Sequence, residues 1–273
     1  MPVRFLRLSR YAPLLTHGSL AALTAVYFVL LLRLPFWIAF APGVVVAHRI
    51  GILLHEYLHG IPFRRYRNNL AVASIFDGVL LMFGTLELYR GIHLAHHQWL
   101  NTSHEPAAET TPGGKPFRVR DLLTAPEAFQ FIAYLRDALR GKRPYVRRSR
   151  LILGFSLSVL TVLMWVSVGR GDVFWKMLAI TLYTTAVPIS FRGAIEHHSY
   201  PGDDGFANEY RVWIPMFNLN CHVHHHENPR TPWYLLRFRT EHPLSSRDYF
   251  TYWFRLYIKR ELVMMKPRVF SRQ

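Results

Sequence analysis

The chain is poor in cysteine and in acidic residues. Its one cysteine, Cys221, cannot close a disulfide within the chain, and no Cys-x-x-Cys pair is present to hold a metal or a c-type haem. Iron–sulfur and c-type haem centres are therefore ruled out, and no haem is expected in this chain. Asp and Glu together number 17 against 33 Lys and Arg, a formal net charge of +16. That charge is unevenly spread, because residues 14–32 and 151–168 carry none of it. Apolar runs of this length joined by basic segments are the pattern of a helical membrane protein. The same runs exclude a soluble nucleic-acid-binding protein, whose surface would have to leave them in water.

A membrane-crossing helix needs about 20 mostly apolar residues. Residues 14–32, 34–54, 151–168 and 173–191 meet that need. The first run feeds directly into the second, which predicts a retained anchor rather than a cleaved signal. Arg4, Arg7 and Arg10 precede the first span, and Arg140, Lys142, Arg143, Arg147, Arg148 and Arg150 precede the third. Positive charge marks the cytoplasmic side, so the expected topology is two hairpins dipping in from the cytoplasm, with both termini inside. Residues 70–88 are also apolar but contain Asp77, and an unpaired carboxylate in the bilayer is costly. They are read as an interfacial helix. Residues 101–115 read as a loop and 249–265 as an amphipathic helix. The expected fold class is all-α and integral to the membrane, one domain over residues 1–273, with a cytoplasmic histidine-rich cap.

Fifteen histidines are present, and most fall in short clusters. His55 and His59 form H-x-x-x-H. His93, His96 and His97 form H-x-x-H-H, and His222, His225 and His226 form it again. Residues three and four apart share a helix face, so each cluster projects its rings together. Imidazole is the commonest side-chain metal ligand and suits iron, zinc and copper. The number of rings is too large for one ion and fits two. His197 and His198 follow Glu196 at the end of the fourth span, and His197 is preferred as the ligand. His224 lies off the ligand face and reads as a neighbour. His48 is left unassigned, and His17, His104 and His242 are taken as ordinary polar residues. Metal-bound histidines usually donate their second N–H to a carboxylate or carbonyl. Glu56, Glu196 and Glu227 stand beside the clusters and are assigned to that supporting role.

These residues resemble the integral-membrane fatty acid desaturase and hydroxylase superfamily, which includes carotenoid ketolases. The resemblance rests on His55-Glu-Tyr-Leu-His59-Gly60, His93-Leu-Ala-His96-His97, and His222-Val-His-His225-His226. It continues through Glu227-Asn-Pro-Arg-Thr-Pro232-Trp233-Tyr234 and the Arg192-Gly-Ala-Ile-Glu196-His197 segment. It implies a centre of two Fe ions that uses O2 to attack an unactivated C–H bond. The implied ligands are His55, His59, His93, His96, His97, His197, His222, His225 and His226. The implied partners are a lipid or acyl substrate drawn from the bilayer and a ferredoxin- or rubredoxin-type electron donor with its reductase. The implied location is a bacterial inner membrane. Where some members supply an asparagine four residues before the extra histidine, this chain has Gly193; Asn218 and Asn220 are possible substitutes.

Within that resemblance, desaturation and hydroxylation come first, with carotenoid ketolation and oxidative decarboxylation as alternatives on the same site. Two readings belong to other classes. His55-Glu-Tyr-Leu-His59 is also H-E-x-x-H, the zinc protease pattern with Glu56 as general base. That reading leaves both H-x-x-H-H clusters unexplained. A non-catalytic metal-binding membrane protein would bind metal without consuming O2.

Overall fold

A computed structural model of the chain describes residues 12–99, 135–143, 145–185 and 217–239, with isolated positions 196, 207, 209–211, 243, 245, 247 and 251. The helices that carry the fold among these residues are α1 (Ala12–Arg33), α2 (Phe36–Leu58), α3 (Tyr66–Val79), α4 (Thr85–Trp99), α5 (Arg148–Ser167), α6 (Gly171–Thr184) and α7 (His222–Glu227). No strand occurs among the described residues. Three helices are long and apolar enough to cross a bilayer: Pro13–Arg33, Phe36–Leu58 and Arg148–Ser167.

Their outer surfaces are as greasy as their cores. Trp37 is 85% exposed, and Ile38, Val29, Leu160 and Leu163 also lie open. A helix that is apolar on its outer side is suited to lipid, not water. α1 and α2 form the first hairpin, turning at Pro35 without a capping side chain. Their buried seam includes Tyr27, Leu31, Ile50 and Leu53, joined by Met177 and Ile180 of α6. At Gly43 the approach is so close that a Cβ would lie 2.6 Å from Ile180 Cδ1.

α6 covers only the first part of the fourth expected span, 173–191, because residues 186–191 lie outside the described ones. Its Lys176 reaches back to the first hairpin. The ammonium donates to the Leu31 and Leu34 carbonyls, each at 3.0 Å, and pairs with Asp172 at 3.2 Å. It thereby satisfies carbonyls at the C-terminal end of α1, which helix geometry leaves without partners.

The single interfacial helix expected over 70–88 is in fact two helices, α3 and α4, broken at residues 80–84. Leu81, Phe83 and Gly84 all take positive φ there, with Gly84 at 86°. Asp77 explains the break. Its carboxylate is buried but accepts the Gly84 N–H at 2.8 Å, so it is paired within the turn. Ser158 of α5 fastens the same turn, accepting the Phe83 N–H at 3.0 Å and donating to the Asp77 carbonyl at 3.2 Å. α3 then packs on α5 almost backbone to backbone: a Cβ on Gly78 would lie 2.4 Å from the Leu157 Cβ. The expected amphipathic helix at 249–265, apart from position 251, and the loop at 101–115 lie outside the described residues.

The functional end of the bundle lies opposite the hairpin turns. Thr16 near the start of α1 meets Glu56 near the end of α2. Arg147 at the start of α5 donates its N–H to Glu87 of α4. Arg140, Lys142, Arg147 and Arg148 are exposed around this end.

Candidate metal centre

Each histidine cluster is presented by local structure that its spacing foretells. His55 ends the last turn of α2, and His59 forms its C-cap, with its N–H on the His55 carbonyl. Gly60, at φ 72°, then ends the helix, and the Tyr66 ring occupies the space a Cβ would need. His93 and His97 lie one turn apart on α4, with His96 on the flank of that face. α7 is only six residues long and carries His222, His225 and His226.

The rings separate into two groups. His55, His59, His93, His97 and His225 bring their ligand atoms within 4.8 Å of one another. His93 is the hub: its Nε2 lies 2.6 Å from that of His55, 2.9 Å from His59 and 3.0 Å from His97. His97 and His225 are also 3.0 Å apart, and His55 and His59 3.3 Å. A metal–nitrogen bond of about 2.1 Å places neighbouring ligand nitrogens about 3.0–3.4 Å apart. Three of the five spacings fall in that range and the His55–His93 and His59–His93 contacts are shorter, so the nitrogens crowd about one point as ligands to one ion would. Tyr89 stacks on His93 with ring centroids 5.2 Å apart and fixes the plane of the hub.

The remaining rings form the second group. His226 Nε2 lies 3.1 Å from His222 Nε2, and the His96 and His226 ring centroids are 5.1 Å apart. The Glu196 carboxylate stands 3.5 Å from His222. His97 and His226 meet at the seam between the groups, with centroids 4.3 Å apart. Eight of the nine sequence-predicted ligands thus fall into these two sets, while His197, like His198, lies outside the described residues.

Burial keeps the imidazoles neutral, which is the form that binds metal. His59 is pushed down to about 3, first by burial and then by the Arg230 charge. His97 is pushed down to about 2 by burial and by the neighbouring His59 and His96. His93 and His225 are lowered well below the ordinary value for the same reasons. In an unfolded chain these rings would take up protons near pH 6.5. Protons therefore favour the unfolded state below that pH. The metal-free protein is expected to hold full stability above about pH 6.5 and to lose it progressively as pH falls towards about 3. Urea unfolding of metal-free protein in detergent at pH 7.5, 6 and 5 checks this; equal midpoints would contradict it.

The three glutamates separate as well. Glu56 follows His55, and one residue along a helix turns the side chain by about 100°. It consequently faces away from the rings, accepting the Thr16 hydroxyl at 2.7 Å and the Trp233 N–H at 2.5 Å. In place of the expected support for a histidine, it straps α1 and the segment after α7 to α2. Both oxygens being engaged there, the H-E-x-x-H general-base role has no free carboxylate. Glu227 is exposed and pairs with Arg239 at 2.9 Å, turned away from the five-histidine group. Glu196 alone sits beside a histidine ring. Asn220 gives its side-chain N–H to the Tyr210 carbonyl at 2.7 Å, and Asn218 is exposed.

Of the unassigned histidines, His224 accepts the Arg237 N–H at 3.1 Å, in keeping with its reading as a neighbour. His48 is buried, with its Nδ1 2.9 Å from an Arg49 guanidinium nitrogen. His17 contacts the Tyr57 hydroxyl and packs on Phe63. Sequence reasoning did not single out Tyr210, whose hydroxyl donates to Glu196 at 2.7 Å. It also passed over the buried Glu87–Arg90 pair. The three-residue spacing Glu87, Arg90, His93 was the available signal for the latter; nothing local marks Tyr210.

A family model described as fatty acid desaturase matches residues 34–256, which include every histidine cluster. No curated protein and no solved structure matches the chain.

Proposed function

The chain belongs to the fatty acid desaturase family, a family of membrane oxidoreductases, and from that premise we propose that it is a di-iron enzyme. It oxidises an unactivated C–H bond of a fatty acyl or similar lipid chain, using O2 and electrons from an outside donor. The observation that carries the reading is the five-histidine group, whose mostly buried ligand atoms all lie within 4.8 Å of one another. Neutral imidazole suits iron, so the donor set fits the metal that the family implies.

In this reading His55, His59, His93, His97 and His225 hold one iron. His96, His197, His222 and His226 hold the other. When bound, iron supplies O2 activation and removal of hydrogen from the C–H bond. The protein's contribution is to position and exclude. Tyr89 fixes the ring plane of His93. Glu56 clamps the segment beginning at Trp233 against α2, which keeps α7 over the first histidine cluster. Burial of His59, His93 and His225 keeps water off them and favours their unprotonated form. A bilayer-borne chain would approach from the exposed apolar faces.

The proposed architecture is one domain over residues 1–273. It has four spans in two hairpins, both termini and a histidine-rich cap in the cytoplasm, and a bacterial inner membrane as its home. The scarcity of charge in the spans and the exposed arginines at the histidine end support this orientation. No Cys-x-x-Cys or other relay exists in the sequence, which supports a separate ferredoxin- or rubredoxin-type donor with its reductase. Desaturation and hydroxylation are the first candidates; ketolation of a carotenoid and oxidative decarboxylation use the same site.

The test is O2 uptake by membranes supplied with donor, reductase and a lipid extract, with products identified by mass spectrometry. Donor-dependent uptake yielding a chain two mass units lighter is expected for desaturation, or sixteen heavier for hydroxylation. His96→Ala protein, folded in the same membranes, is expected to give neither. Metal binding without O2 uptake would favour a carrier, and peptide cleavage with one zinc per chain would favour a protease.

A further inference from the structure

The Glu196 side chain lies on the metal side of its histidine. Where a carboxylate merely supports a metal-bound imidazole, it accepts the N–H of the ring nitrogen that does not bind metal. Here Glu196 Oε2 approaches Nε2 of His222, at 3.5 Å. That same Nε2 faces His226 Nε2 at 3.1 Å. A proton on it would disqualify it as a ligand, and 3.5 Å is in any case long for such a hydrogen bond. The carboxylate oxygen and the His226 nitrogen instead both stand beside the same His222 nitrogen, at 3.5 and 3.1 Å.

The carboxylate is built into place. Glu196 is 2% exposed and Tyr210 is fully buried. The Tyr210 hydroxyl donates to the other carboxylate oxygen, Oε1, at 2.7 Å, leaving Oε2 turned toward His222. Tyr210 is itself held through its backbone, its N–H on the Asn220 carbonyl at 3.3 Å and its carbonyl accepting the Asn220 side chain at 2.7 Å. A carboxylate so deeply buried is costly to ionise without a cation beside it, and a carboxylate oxygen is a hard ligand well suited to iron.

We propose that Glu196 is a direct ligand of the second metal ion, bound through Oε2, and that Tyr210 is the positioning residue that aims it. The two centres then differ in kind. The first is held by neutral imidazoles alone among the described residues, and the second by imidazoles and one negative charge. This assignment rests on the two-metal reading above.

The test loads metal-free protein in detergent with Fe(II) alone and reads iron per chain together with the Mössbauer spectrum. Wild-type protein is expected to bind about two ions in two distinguishable environments. Glu196→Gln is expected to retain about one, with the spectral component of the five-histidine centre unchanged, which also reports that the variant is folded. Tyr210→Phe is expected to keep the first ion and to weaken the second about 10–100-fold in chelator competition. Glu196→Gln protein with both ions and an unaltered spectrum would overturn the assignment while leaving the two-metal reading intact. Wild-type protein that binds only one ion would overturn both. Should Glu196→Gln lose both ions, Tyr210→Phe decides, and unchanged affinity for the second ion there rejects the proposal.

Discussion

His93→Ala is expected to remove the iron of the five-histidine centre and to reduce turnover by well over about 100-fold. Substituting a residue that only supports a ligand typically costs about 10–100-fold, and His93 is the central member of the group. Its Nε2 is within 3.0 Å of three others, those of His55, His59 and His97. Without it the remaining rings lose the one nitrogen that lies against three of them. The change also leaves a hole beside Tyr89, whose ring rests on His93. Iron per chain, measured beside donor-dependent O2 uptake, checks the expectation. His93→Ala protein that is folded, keeps its full iron and turns over within a few-fold of wild type would refute the assignment of the hub.

Arg90→Ala is expected to destabilise the protein by about 3–5 kcal/mol, the usual cost of leaving one member of a buried ion pair uncompensated. The Arg90 and Glu87 side chains are 7% and 6% exposed. The guanidinium grips Glu87 in two places, Nε at 2.7 Å and Nη2 at 2.5 Å, and Nη2 also donates to the Tyr145 carbonyl at 2.5 Å. Glu87 in turn accepts the Arg147 N–H at 2.8 Å. The pair therefore fastens α4 to the start of α5, one turn before His93. Arg90→Lys is expected to recover little, because a single ammonium cannot reproduce the two-pronged grip. Unfolding of the purified protein in mixed micelles measures the loss, and a change below about 1 kcal/mol would mean that the pair behaves like an exposed one.

How much of this was legible in the sequence varies with the range of the interaction. The spans were legible because a bilayer selects for length and lack of charge, which are properties of a run and need no partner. Thus 14–32, 34–54 and 151–168 reappear as α1, α2 and α5 within a few residues at each end. The histidine faces were legible for a similar reason, since i and i+4 spacing is local. The division of the rings was not. His225 and His226 are adjacent in sequence yet lean to different groups, and only the packing of α7 against α2 and α4 decides which goes where. Glu56 misled because its neighbours are ligands; its direction depends on Thr16 and Trp233, which lie 40 and 177 residues away. Asp77 misled in the opposite sense. Judged as a charge inside an apolar run it looked costly, while the turn it organises, with Gly84 at its end, is visible only in three dimensions.

Lys176 bears on the order in which the chain can be assembled in a membrane. A lysine near the far end of a span is tolerated when its charge finds acceptors. Those it uses, the Leu31 and Leu34 carbonyls, belong to the first hairpin and leave the ribosome long before it does. The earlier hairpin is in this sense a berth for the later one. In the proposed four-span topology, a ribosome that made the second hairpin first would have to carry Lys176 across with only Asp172 beside it.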